Sequence, residues 1–353
     1  MRIILSRLVF LYSKSDENHK ILKEKNMSDT KFSRRKMLGN SCLALIGALG
    51  SYAFNSSHVS GLPSDKPSGK KKLPFRISLN TSTISAYKLS VEKQIDLVAD
   101  AGFDGIELWV RDVSTYLNEG GTCESLQKRL KSRNLVLENM IGFAPWFSED
   151  PDARAKGIEQ LRQEMIMTAK LGGKYIAAPI QGIKTLDKMK FDDYAARYRA
   201  ILQLSDQTGV TPIIELWGAG ALNQLSDCAQ IVISTGHPKA SMLLDFYHLY
   251  RGNNSWDTLD CINAQRLPVF HINDYPSNPA RELLKDADRV FPGDGICPFN
   301  ELIPKLYNAG FRGAFSVELF NKNYWETMDA PTILKTSYDK TYRVINDAIT
   351  NKS

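Results

Sequence analysis

TPIIELWG, residues 211–218, is a short apolar run that ends on a carboxylate, Glu215. Its length, its β-branched content and the turn residues around it read as a buried strand. The same design recurs three times downstream. SMLLDFYH (241–248) brings Asp245 to a strand end, PVFHIND (268–274) brings His271, and AFSVELF (314–320) brings Glu318. Charged side chains seldom close buried strands without a partner. Four in succession point to strand ends converging on one divalent cation, with two carboxylates left to move protons.

Upstream, four more runs have the same character: FRISLNTS (75–82), GIELWV (105–110), LVLENMIGF (135–143) and KYIAAPI (174–180). Amphipathic segments lie between the runs, with apolar residues at three- and four-residue spacing, as in VEKQIDLVADAG (91–102) and FNELIPKLYNAG (299–310). Gly102 and Gly310 suit helix C-termini. Eight strand–helix units match an α/β fold of the (β/α)8 TIM barrel type over residues 75–350, in which function sits at the C-terminal strand ends. A doubly wound open sheet is the competing architecture, but no GxGxxG follows the first strand.

The formal charge of +6 misleads. Residues 1–74 hold 14 Lys/Arg against 5 Asp/Glu, whereas the rest holds 31 against 34. The body is therefore slightly acidic, which argues against nucleic-acid binding. SRRKMLG (33–39) followed by CLALIGALGSYAF (42–54) reads as a twin-arginine export signal over residues 27–53, cleaved after Ala53. The apolar run is shorter than a membrane span. Residues 1–26 read as an upstream extension and residues 54–74 as a flexible linker. The expected location is periplasmic or otherwise exported, with the twin-arginine machinery as partner. The scattered cysteines Cys123, Cys228, Cys261 and Cys297 are expected to be buried thiols.

Three carboxylates and an imidazole (Glu215, Asp245, His271 and Glu318) suit Mn²⁺ first, with Mg²⁺, Co²⁺ or Zn²⁺ as alternatives. His248 stands one helical turn after Asp245 and is expected to share the mouth. Glu107 and Trp109 alternate with Leu108 at the end of the second strand and are expected to face substrate. Trp217 is a similar case. Gly293-Asp294-Gly295 reads as a tight turn.

The order Glu, Asp-x-x-His, His, Glu at successive strand ends resembles the xylose-isomerase-like barrel superfamily of sugar isomerases and epimerases. ISLNTSTI (77–84), AGFDGIEL (101–108) and RVFPGDG (289–295) are similar to it too. The resemblance implies that Glu215 and Glu318 are metal ligands and also the acid–base pair, both ionised at rest. It implies that His248 and Arg289 hold substrate oxygens, and that a homodimer forms. The implied activity is isomerisation or epimerisation of a ketose or 3-keto-glycoside through a metal-stabilised enediolate. A lyase on oxidised glycosides and a non-catalytic sugar-binding barrel are the alternatives. The superfamily's repair endonucleases use more histidines than this chain offers. Two departures reshape the mouth. Ala221 stands where ketose 3-epimerases carry a further Glu, and residues 277–288 intervene before Arg289.

Overall fold

The computed structural model describes residues 71–350. The expected extension, the export signal and most of the expected linker lie outside the described residues. The strands are β1 (Arg76–Asn80), β2 (Gly105–Trp109), β3 (Val136–Ile141), β4 (Tyr175–Pro179), β5 (Thr211–Glu215), β6 (Met242–Asp245), β7 (Val269–Ile272) and β8 (Ala314–Val317). They pair in parallel in chain order, and β1 closes on β8 to form a barrel. Each strand falls within one of the eight expected runs.

Parallel strands need long crossovers, and helices supply them. Helix Val91–Asp100 starts where Ser90 Oγ accepts the Lys93 N–H, and it stops before Gly102, whose φ of +99° is easily reached only without a Cβ. Helix Pro151–Leu171 starts on an Asp150 cap with Pro151 in its first turn. Helix Ala330–Thr350 packs against helix Phe299–Asn308. No helix among the described residues is long and apolar enough to cross a membrane.

The period-two alternation of strands sorts side chains into two sets. Outside the barrel, Phe246, Phe270 and Phe315 pack with ring centroids 4.5–6.2 Å apart. Burial of each such side chain contributes about 1.5–3 kcal/mol. Inside, Ile141, Ala177, Ile213, Leu243 and Val269 form a small apolar plug. Two residues after Ile213, Leu243 and Val269 come Glu215, Asp245 and His271, so the chain's own alternation stacks the polar layer on the plug. The pairings Pro179↔Glu215 and Asp245↔His271 fix its level.

One irregularity matters for that layer. The register between β2 and β3 shifts at Ile106/Glu107, so Glu107 lies opposite Asn139 instead of Glu138. Such bulges re-aim side chains next to functional sites. Glu138 is left to pair with Arg76, 2.5 Å away. The expectation of uniformly buried thiols is corrected at one position. Cys261 is exposed, because it ends a short 3-10 turn (Trp256–Cys261) outside the core, whereas Cys123, Cys228 and Cys297 are buried.

Candidate functional site

The polar layer converges on Nδ1 of His271. That atom lies 3.3 Å from Oε2 of Glu318, 3.7 Å from Oδ2 of Asp245 and 4.0 Å from Oε1 of Glu215. It is buried and has no hydrogen-bond partner. The ligand atoms of Asp245, His271 and Glu318 lie within 4.8 Å of one another. A buried imidazole nitrogen without a partner, faced by three carboxylates, is the donor arrangement that fits a divalent cation.

The other groups around this set hold it in place. Nε2 of His271 lies 3.0 Å from Oε1 of Glu107, whose Oε2 accepts a hydrogen bond from Asn139 Nδ2 at 2.8 Å. Asn80 donates to Glu318 Oε1 at 2.9 Å and accepts from Trp109 Nε1 at 2.8 Å. Asn273 donates to Asp245 Oδ2 at 2.9 Å. Oδ1 of Asp245 accepts the His248 N–H at 3.0 Å, capping helix Phe246–Arg251, while its Oδ2 faces the centre. Gly218 permits the β5 loop to pass this helix, since a Cβ there would sit 2.3 Å from the His248 carbonyl oxygen.

Arg289 is almost wholly buried, and its guanidinium bridges two groups of partners. NH1 donates to Glu318 Oε2 at 2.6 Å and to Asp245 Oδ2 at 3.2 Å. NH2 contacts Asp286 Oδ1 at 2.6 Å and His248 Nε2 at 3.1 Å. Arginine keeps its proton, so His248 accepts with a neutral ring. The Arg289 fork also lies over the Tyr247 ring, 4.5 Å from its centroid.

The electrostatics follow from burial and mutual proximity. Burial pushes the Glu215 carboxyl up to about 8, against the pull of His271 and with the push of Glu318. Burial also raises Asp245, although Arg289 and His271 oppose it. Glu318 feels the same burial, yet His271 and Arg289 hold it well below the usual carboxylate range. Burial works against a charged His271, but Glu107 and Glu318 keep it well above its ordinary value. Burial and the Arg289 charge push His248 down, in keeping with its role as acceptor.

Above this layer opens a cavity of about 520 Å³, into which Glu215, His248, Arg289 and Glu318 project. Trp109, Phe143, Trp217 and Phe320 line it, together with Leu284, Lys285 and Asp286.

A family model described as xylose isomerase-like TIM barrel matches residues 95–343. The chain belongs to the xylose isomerase-like TIM barrel family. An inosose isomerase of Bacillus licheniformis is 24% identical over 265 residues, which span 73% of this chain and 93% of that protein. The solved structure of the IOLI protein with a binding zinc atom superposes with a TM-score of 0.72 at 20% identity, covering 78% of this chain and 100% of that one. A structure of L-ribulose 3-epimerase gives a TM-score of 0.63 at 20% identity, covering 78% of this chain and 96% of that one. The curated relatives of this xylose isomerase-like barrel thus include inosose isomerases and a 3-dehydroshikimate dehydratase of Pseudomonas putida, and its neighbours in fold include an epimerase and a protein that holds zinc.

Within the family framework, the structure brings Asp245, His271 and Glu318 together, leaves Glu215 Oε1 4.0 Å from His271 Nδ1, and sets His248, Arg289 and Trp109 on the cavity. Glu107 is placed otherwise than expected. It is fully buried and absent from the cavity wall, because it lies one inward position below Trp109 on β2, where its carboxylate meets Nε2 of His271. The turn at Gly293-Asp294-Gly295 is tied down by Asp274, whose Oδ2 accepts the N–H groups of Gly293 and Gly295. Sequence reasoning missed Asn80, Asn139, Asp286 and Phe143. Asn80 closes the RISLN run just as Glu215 closes its own, so strand-end polarity was a usable signal. Asp286 belongs to the intervening segment 277–288, where no periodicity marks it.

Proposed function

We propose that this chain is a divalent-metal-dependent sugar isomerase or epimerase acting on a ketose or a 3-keto-glycoside. The observation that carries the reading is the unpartnered His271 Nδ1 facing the carboxylates of Glu215, Asp245 and Glu318. The isomerase and epimerase relatives support the reaction class.

Glu215, Asp245, His271 and Glu318 would hold the ion. When bound, a divalent cation supplies Lewis acidity toward the carbonyl and hydroxyl oxygens of the sugar, which acidifies the neighbouring C–H. The carboxylate-rich donor set favours manganese, and folding around the metal before twin-arginine export would help retain it against zinc or copper. Glu215 and Glu318 flank the set from β5 and β8. One takes the proton from the carbon beside the carbonyl, and the other returns a proton to the opposite face or to the next carbon. Arg289 and neutral His248 stand beside Glu318 and orient substrate oxygens, the former as a fixed donor fork. The apolar rings around the cavity exclude water from the carbanion-like stage.

The test is proton NMR in D₂O with manganese-loaded protein and a panel of keto-sugars and oxidised glycosides. Deuterium should enter a carbon beside the carbonyl, and Glu215→Gln and Glu318→Gln should abolish its entry. A panel without exchange, or full exchange in both variants, overturns the assignment.

A further inference from the structure

The polar centre occupies only the floor of the cavity. About 520 Å³ lies above it, a volume within the range that encloses drug-sized ligands and generous for one free monosaccharide. On one wall, Trp109, Phe143 and Trp217 form a continuous aromatic surface. The Trp109–Phe143 centroids are 5.1 Å apart and the Phe143–Trp217 centroids 6.2 Å, with the rings tilted by 49° and 51°. Phe143 is 37% exposed, and its ring partners are these two cavity tryptophans. An exposed phenylalanine at a cavity mouth costs hydrophobic free energy that a ligand face would recover.

The wall is anchored to the chemistry. Trp109 is held through Asn80 to Glu318, and Trp217 stands two residues past Glu215 on the chain. In a ring of eight strands, β2 and β3 stand across from β6 and β7. Arg251, after β6, and Lys285, after β7, also line the cavity, Arg251 beside the Trp217–Gly218 end of the wall, and both are donors for hydroxyl oxygens.

We propose that Trp109, Phe143 and Trp217 form a second subsite that takes the outer ring of a two-ring glycoside. The apolar face of that ring stacks on Phe143, and its hydroxyls face Arg251 and Lys285. The inference rests on the sugar-processing reading above and names its substrate class. In a 3-keto-glycoside a single ring carbon separates the carbonyl from the glycosidic carbon. A ring reacting at the floor therefore projects its substituent toward the mouth.

The test compares 3-keto-trehalose with methyl 3-keto-α-glucoside as exchange substrates for the manganese-loaded full chain. Tryptophan fluorescence titrations with unoxidised trehalose and methyl α-glucoside run in parallel and need no turnover. The two-ring compound should be favoured about tenfold in each assay. Phe143→Ala should collapse that ratio, and Phe143→Tyr, which keeps a ring, should restore it. Thermal melts confirm that both variants fold. Equal binding of the two unoxidised sugars, or a ratio unmoved by Phe143→Ala, overturns the subsite even if exchange occurs. Absence of exchange alongside a Phe143-dependent binding ratio overturns the proposed reaction and leaves the subsite standing.

Discussion

Glu107 in the middle of β2 and His271 on β7 meet across the barrel, with Oε1 and Nε2 3.0 Å apart. The contact aims the opposite imidazole nitrogen at the three carboxylates. A carboxylate behind a metal-binding histidine fixes its tautomer and raises its basicity. The extra β3 residue, Glu138, brings Asn139 level with Glu107, and Asn139 Nδ2 donates to Glu107 Oε2, so a local register shift helps hold the carboxylate behind a distant histidine.

Glu107→Gln should therefore weaken metal binding without touching a ligand. The expected loss is roughly 10–100-fold in affinity, read by competition against a chromogenic chelator. Glu107→Ala should lose at least as much. Unchanged affinity in both variants would show that the contact does not orient the imidazole.

Arg289 joins the floor of the site to the segment 277–288. Its NH1 serves Glu318 and Asp245, and its NH2 serves Asp286 and His248. A lysine carries the charge but lacks the planar fork. Arg289→Lys should lower kcat/KM by about 100-fold, the scale expected from misplacing reacting groups. Manganese stoichiometry should stay at one per chain. A variant that keeps wild-type kcat/KM would remove Arg289 from the working site.

Asp274 is the counterpart on the stability side. Its carboxylate accepts backbone N–H groups from Tyr275, Gly293, Gly295 and Cys297 at 2.8–3.0 Å. Asp274→Ala leaves these donors without an acceptor, and orphaned buried donors cost about 1–3 kcal/mol each before relaxation. A loss of about 3 kcal/mol in urea-unfolding free energy is expected, with Asp274→Asn recovering part of it. A loss below about 0.5 kcal/mol, the level of ordinary surface substitutions, would mean that the loop holds itself.

Much of this site was legible because strand alternation is a local property. TPIIE, MLLD and VFHI each place a polar residue two positions beyond an inward apolar one, so reading the strands also located the polar layer that the proposal makes a ligand set. The role of Glu107 was not legible. GIELW has the same alternation, but only packing across the barrel, a long-range property, shows that Trp109 reaches the cavity while Glu107 lies a layer lower against His271. Asp286 was hidden for a related reason. It sits in an irregular segment whose course is set by the antiparallel bridge between Asp274 and Val290. Cys261 misled because composition favours burial of free cysteine, whereas its turn lies outside the core.

As a proposed ligand, the Glu215 carboxyl would make metal binding proton-linked. In the metal-free chain it titrates at about 8, with burial as the main cause, whereas an unfolded glutamate titrates near about 4.3. Between those values the folded chain holds a proton that the unfolded chain has lost. The contribution of Glu215 to stability is therefore full below about 4.3 and declines as pH rises through about 8. Coordination needs the carboxylate, and it also needs an unprotonated Nδ1 on His271, which Glu107 and Glu318 hold well above its ordinary value. Metal binding at pH 7 should thus release protons, and apparent affinity should climb at least about tenfold per pH unit between 6 and 8. Titration calorimetry in buffers of different ionisation enthalpy counts the protons, and Glu215→Gln should remove about one of them. Equal affinity at pH 6 and pH 8, with no buffer dependence, would place Glu215 outside the ligand set.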